Sequence, residues 1–137
     1  MPKKQTTVAP LPQDWLEAVI PILRNGDHNA IQWTGRALRE MAAAGLGFKH
    51  EAYELCLRVL RTPGMLGESI SGMIDETDGT LCDTWAFLCP HPLGISKPLY
   101  VKIALHQSRV LIHLISLHTD HSGALLAAIR KLHRHSS

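Results

Sequence analysis

The sequence predicts an α+β domain, with N-terminal helices packed on a three- to four-stranded antiparallel sheet and a C-terminal helix closing the chain. Three observations predict it. Apolar residues recur at helical spacing through the first part of the chain, then short β-branched runs alternate with turn residues, and a last helical stripe follows. At 137 residues the chain is long enough for one core and too short for two.

Met1–Pro10, with its lysines, threonines and prolines, reads as part of a flexible tail over residues 1–12, and residues 13–137 read as the domain. The first helix begins at Gln13 behind Pro12, a residue suited to a first turn. Pro21 kinks or splits it and Asn25-Gly26 ends it. Thr34 caps a second helix, Gly35–Ala44, whose stripe is Ala37, Leu38, Met41 and Ala44. A third runs from about His50 to Arg61, with Tyr53, Leu57 and Leu60 on one flank.

The strand region opens with Glu68–Ile74, followed by the turn-rich Asp75–Thr80 and a second strand over Leu81–Cys89. Its centre is a hairpin in which Leu99–Leu105 and Val110–Leu117 flank His106-Gln107-Ser108-Arg109. Leu99, Val101, Ile103 and Leu105 share one face. Tyr100, Lys102, Ala104 and His106 share the other, where chemistry can sit. Ser122 then caps a helix with the stripe Leu125, Leu126, Ile129 and Leu132 and a basic face of Arg130, Lys131 and Arg134.

Composition narrows the function. A net charge of +2 carries no strong nucleic-acid footprint of its own, and nine histidines beside only two Phe and two Tyr are the unusual feature. Three cysteines without framework spacing point to a reducing compartment. No apolar run approaches membrane length, and Met1–Pro12 lacks a signal-peptide core, so a cytoplasmic protein without membrane contact is expected. No cofactor or metal is expected. Cys82, Cys89 and His91 match no strong zinc spacing, and Asp75, Glu76 and Asp78 form too short a run for a calcium loop. Gly-rich phosphate loops and nucleophile elbows are absent from the sequence.

The order of these elements resembles the MqsR toxin family, the messenger-RNA-cleaving members of bacterial type II toxin–antitoxin pairs. The resemblance rests on Trp15 to Asn25-Gly26, Thr34-Gly35-Arg36-Ala37-Leu38, Ala44–Phe48, Asp83-Thr84-Trp85, Lys97–Lys102 and Val110–His118. It implies a RelE/MqsR-like fold, metal-independent endoribonuclease activity, RNA (mRNA) as substrate and a cognate antitoxin as partner. The family tyrosine falls on Tyr100, with Lys102 beside it. Its other functional positions fall on Glu68 and His118, where the family has lysine, and on Cys82, where it has glutamine.

Cleaving RNA without a metal takes a base for the 2′-hydroxyl, an acid for the leaving 5′-oxygen and a cation for the phosphorane. Tyr100, Lys102 and one histidine of the facing strand make such a set. A two-residue turn at Gln107-Ser108 brings His113 to the Tyr100 face, and a bulge or longer odd loop brings His118 there instead. The candidates are therefore Tyr100, Lys102, His118 and His113 for catalysis, with Arg109 and Lys102 for RNA contact. The plainer readings stand beside these. Alternation alone places Tyr100 and Lys102 on the wetter face of a sheet, His106 reads as an exposed turn residue, and His121, His133 and His135 read as structural. A catalytically degenerate RNA- or protein-binding member of the same fold is the alternative function, and a docking domain built on Ser122–His133 is a third.

Overall fold

In the computed structural model, which describes residues 7–136, the strands outnumber those expected from sequence. Six strands form one mixed sheet in the order β1-β3-β4-β5-β6-β2, with four helices. The elements are β1 (Thr7–Pro10), α1 (Gln13–Asn25), β2 (Ile31–Trp33), α2 (Gly35–Ala43), α3 (Lys49–Leu60), β3 (Leu66–Ile70), β4 (Cys82–Cys89), β5 (Leu99–His106), β6 (Ile112–Thr119) and α4 (Ala124–Ser136).

This corrects the expected RelE/MqsR-like layer of leading helices on a three- to four-stranded antiparallel sheet. A strand precedes α1, another separates α1 from α2, and β2 pairs with β6 in parallel. The two extra strands are the edges. β1 lies within the segment expected as a tail and pairs with β3, Val8 opposite Glu68. Lys3-Lys4 lies outside the described residues, as does the side chain of His135.

The helices end where local chemistry dictates. α1 runs through Pro21 and stops at Gly26, whose φ of 63° suits a residue without Cβ. Its inner face buries Trp15, Val19, Ile22 and Leu23. Trp15 meets Phe87 of β4 edge-on at 6.5 Å and donates its indole N–H to the Asp83 carbonyl at 3.0 Å. The core is thus one side of the sheet (Phe87, Leu99, Val101, Ile103, Leu114 and Leu117) under α1 and α3. Burying each such side chain fully contributes about 1.5–3 kcal/mol.

The central hairpin carries the feature that positions the functional face. Near the turn Ala104 pairs with His113 and Ile103 with Leu114, but beyond it Lys102 pairs with Ser116 and Tyr100 with His118. Ile115 is the extra residue of a β-bulge. Because side chains alternate, one inserted residue reverses the phase of the rest of the strand. His113 and His118 therefore both face Tyr100. Sequence had posed them as alternatives tied to different turns. The connection is longer than two residues, spanning Gln107–Leu111.

The N-terminal turn of α2 holds the bulge. Thr34 accepts from the Ala37 N–H as helix cap at 3.0 Å and donates its hydroxyl to the Ile115 carbonyl at 3.0 Å. Its own N–H reaches the Leu114 carbonyl at 3.2 Å, and Glu40 accepts from the Leu117 N–H at 3.1 Å. Backbone groups that lose ladder partners at a bulge need partners elsewhere, and α2 supplies them.

Candidate functional site

The Tyr100 face of the sheet holds two groups of polar side chains, one toward each end of the hairpin. At the open end, Tyr100 and His118 are cross-strand neighbours with rings stacked at 5.2 Å between centroids and 23° between planes. Lys102, two residues along β5, places its ammonium 5.9 Å from the Tyr100 ring centre. All three are partly exposed.

Hydrogen bonds fix the roles available to them. His118 Nδ1 lies 3.0 Å from the Thr119 carbonyl oxygen. A carbonyl can only accept, so Nδ1 carries the proton and Nε2 is left to take up and release one. Tyr100 donates its hydroxyl to Glu68 Oε2 at 3.3 Å, across β4, where the small Ala86 stands between Glu68 and Lys102 in register. Burial, and then the charge of Glu68, push the Tyr100 phenol well above its ordinary range. Tyr100 is thus a lasting proton donor and not a base.

At the turn end, Asp75 is the hub. Its side chain is 1% exposed, and its Oδ2 lies 3.1 Å from His113 Nε2 and 3.3 Å from an Arg109 guanidinium nitrogen. Asp78 meets His106 Nε2 at 3.1 Å and Arg109 at 3.6 Å. The Thr77 backbone N–H, more than any other group, holds the Asp75 carboxyl below its usual range, and the Thr80 N–H holds Asp78 down to about 2. These contacts bind the 71–81 segment to the hairpin. His106, expected as an exposed turn residue, is buried and accepts the N–H groups of Ser108 and Arg109 on Nδ1 at 3.0 and 3.1 Å.

Asp75, Asp78 and His106 bring ligand-type atoms within 4.8 Å of one another. Their chemistry does not fit a cation. With Nδ1 accepting two N–H groups, His106 carries its proton on Nε2 and presents no lone pair there. Arg109 already supplies positive charge to both carboxylates.

Of the five sequence candidates, the fold brings together Tyr100, Lys102 and His118. It sets His113 and Arg109 apart around Asp75, with His113 five residues from His118, roughly 15 Å along a strand. That is too far for both histidines to flank one phosphate, where each hydrogen bond spans about 2.7–3 Å. Arg109, expected to contact RNA, is committed to two carboxylates. Sequence reasoning marked Glu68 only as a departure and missed its bond to Tyr100. It read Asp75, Glu76 and Asp78 as a turn too short for a calcium loop, and the bonds from Asp75 to His113 and Arg109 were not visible in that spacing. Cys82 and Cys89 lie on opposite faces, with Cys89 in the core and Cys82 paired in register with His106.

Among the described residues, no helix is long and apolar enough to cross a membrane. No family model, curated protein or solved structure matches the chain significantly.

Proposed function

We propose that this chain is the toxin of a type II toxin–antitoxin pair, a cytoplasmic endoribonuclease that cleaves messenger RNA without a metal and is held inactive by a cognate antitoxin. The observation that carries the reading is His118, with Nδ1 anchored to a carbonyl and Nε2 free for proton transfer beside the Tyr100 hydroxyl and the Lys102 ammonium. Oriented imidazole, phenol donor and cation are three of the parts that phosphodiester cleavage needs. In this scheme His118 moves a proton, Tyr100 contacts the phosphate or stacks on a base, and Lys102 offsets the charge of the phosphorane.

Induced expression of the chain tests this. Growth arrest with discrete new 5′ ends on cellular transcripts is expected from the wild type and is lost in Tyr100→Ala and His118→Ala, with both variants folded. Full toxicity in both variants, or normal growth with intact transcripts in the wild type, overturns it.

One observation favours a second reading, a non-enzymatic RNA- or protein-binding protein. The Glu68 carboxylate already occupies the Tyr100 hydroxyl, as a bound phosphate oxygen would. A built-in anion of that kind predicts no cleavage, and RNA binding that tightens when Glu68 becomes glutamine.

A further inference from the structure

Phosphodiester cleavage by proton transfer needs two groups, one on each side of the phosphate, and His118 is only one of them. Four carboxylates are candidates for the second. Glu40 is taken by the Leu117 N–H and by Arg36 at 3.4 Å. Asp120 uses Oδ1 for the Ser122 hydroxyl and the Gly123 N–H at the start of α4, and its other oxygen is buried without a partner. Asp75 is committed at the far end of the hairpin. Glu68 is partly exposed, and its carboxylate accepts the Tyr100 hydroxyl.

We infer that Glu68 is the general base of the reaction and His118 its general acid, with the width of the Tyr100 ring setting the gap between them. This rests on the endoribonuclease reading above. Glu68 touches one end of Tyr100 at the hydroxyl, and His118 stacks on the face of the same ring. A phosphate seated over Tyr100 and Lys102 then lies between a carboxylate and an imidazole. Each needs a hydrogen bond of about 2.7 Å to reach its oxygen.

The atoms balance without a co-reactant. Glu68 takes the proton of the ribose 2′-hydroxyl, and the 2′-oxygen forms its bond to phosphorus. The bond from phosphorus to the 5′-oxygen breaks, and His118 Nε2 delivers a proton to that oxygen. The products are a 2′,3′-cyclic phosphate and a free 5′-hydroxyl. When the phosphate binds, the Tyr100 hydroxyl, held protonated, turns its one proton from Glu68 to a non-bridging oxygen, which frees the carboxylate, while Lys102 neutralises the added charge.

The pairing also gives the reaction a direction with pH. The step needs the carboxylate deprotonated and the imidazole protonated. Activity therefore rises as the base loses its proton and falls as the acid loses its own. Charged and titratable groups around the pair are Tyr100 and Lys102 of β5, Asp120 at the end of β6 and Glu40 of α2, and α4 packs on β1, β3 and β4.

The test uses the purified full chain, an RNA oligonucleotide, and the same oligonucleotide with sulfur in place of the bridging 5′-oxygen. A thiolate leaves without protonation, so this substrate bypasses the acid and not the base. Glu68→Gln is expected to lower cleavage of both substrates by about 10²–10⁴-fold and to remove the acidic limb of the kcat/KM profile. His118→Ala is expected to lose cleavage of the ordinary RNA and to recover it on the sulfur substrate. Circular dichroism is expected to show both variants folded, and Glu68→Asp, which keeps the carboxylate, is expected to retain the acidic limb. Glu68→Gln cleaving as fast as the wild type or faster overturns the assignment and leaves the ribonuclease reading standing. A wild-type chain that cleaves neither substrate overturns both.

Discussion

The two ends of the hairpin use the same residue types on the same face and come to opposite results. Around Asp75, two histidines and an arginine converge on two carboxylates, and each of these five side chains has found a partner inside the protein. Around Tyr100, a histidine, a lysine and a glutamate share one aromatic ring, and the imidazole keeps one nitrogen unspent. A histidine's worth to chemistry depends on what its second nitrogen does. His113 and His106 point Nε2 at carboxylates and act as fasteners, while His118 ties down Nδ1 and leaves Nε2 unbonded.

Inserting an alanine between Ser116 and Leu117 is expected to do the most damage. A residue added there shifts the rest of the strand by one, so that His118 turns to the core side and Leu117 to the Tyr100 side. Loss of RNA cleavage together with a large fall in Tm is expected, read by thermal melting and a cleavage assay. The point variants separate the two ends next. His118→Ala is expected to lose about 10²–10⁴-fold in activity with an unchanged Tm. Asp75→Asn is expected to lower Tm and speed hydrogen exchange in residues 71–81, while cleavage per folded molecule stays near wild type.

Smaller effects sharpen the picture. Thr34→Ala removes both the cap of α2 and the donor to the bulge carbonyl, and a loss of about 1 kcal/mol in urea unfolding is expected from the cap alone. Asp78 titrates in the folded protein at about 2, below the ordinary carboxyl value near 3.9. Its contribution to stability is thus complete above about pH 4 and is lost as pH falls toward 2. The amide resonance of Thr80, bonded to Asp78 Oδ1 at 2.9 Å, is expected to titrate with that low midpoint.

The elements read from sequence were those whose signals are local. The Asn25-Gly26 stop of α1, the Thr34 cap and the alternation of Leu99–His106 each follow from a few neighbouring residues. The edge strands do not. Ile31–Trp33 is too short to show alternation, and Thr7–Pro10 carries a proline, so both exist because a neighbouring strand offers them partners. Missing them turned a six-stranded mixed sheet into a smaller antiparallel one.

The bulge was legible in principle. Ile112-His113-Leu114 and Ser116-Leu117-His118 each alternate, and the doublet Leu114-Ile115 is the point where the phase slips. Taken at face value, that doublet puts both histidines beside Tyr100. Which of them is free for chemistry was not legible. It depends on Asp75, which lies 38 residues from His113 in sequence, and on the carbonyl of Thr119 beside His118.

The most direct test is a cleavage assay on one RNA with purified wild type, His118→Ala and His113→Asn. The wild type and folded His113→Asn are expected to leave 2′,3′-cyclic phosphate ends, and His118→Ala none. Cleavage that survives in His118→Ala, or that disappears in a folded His113→Asn, would place the chemistry at the Asp75 end and contradict that expectation.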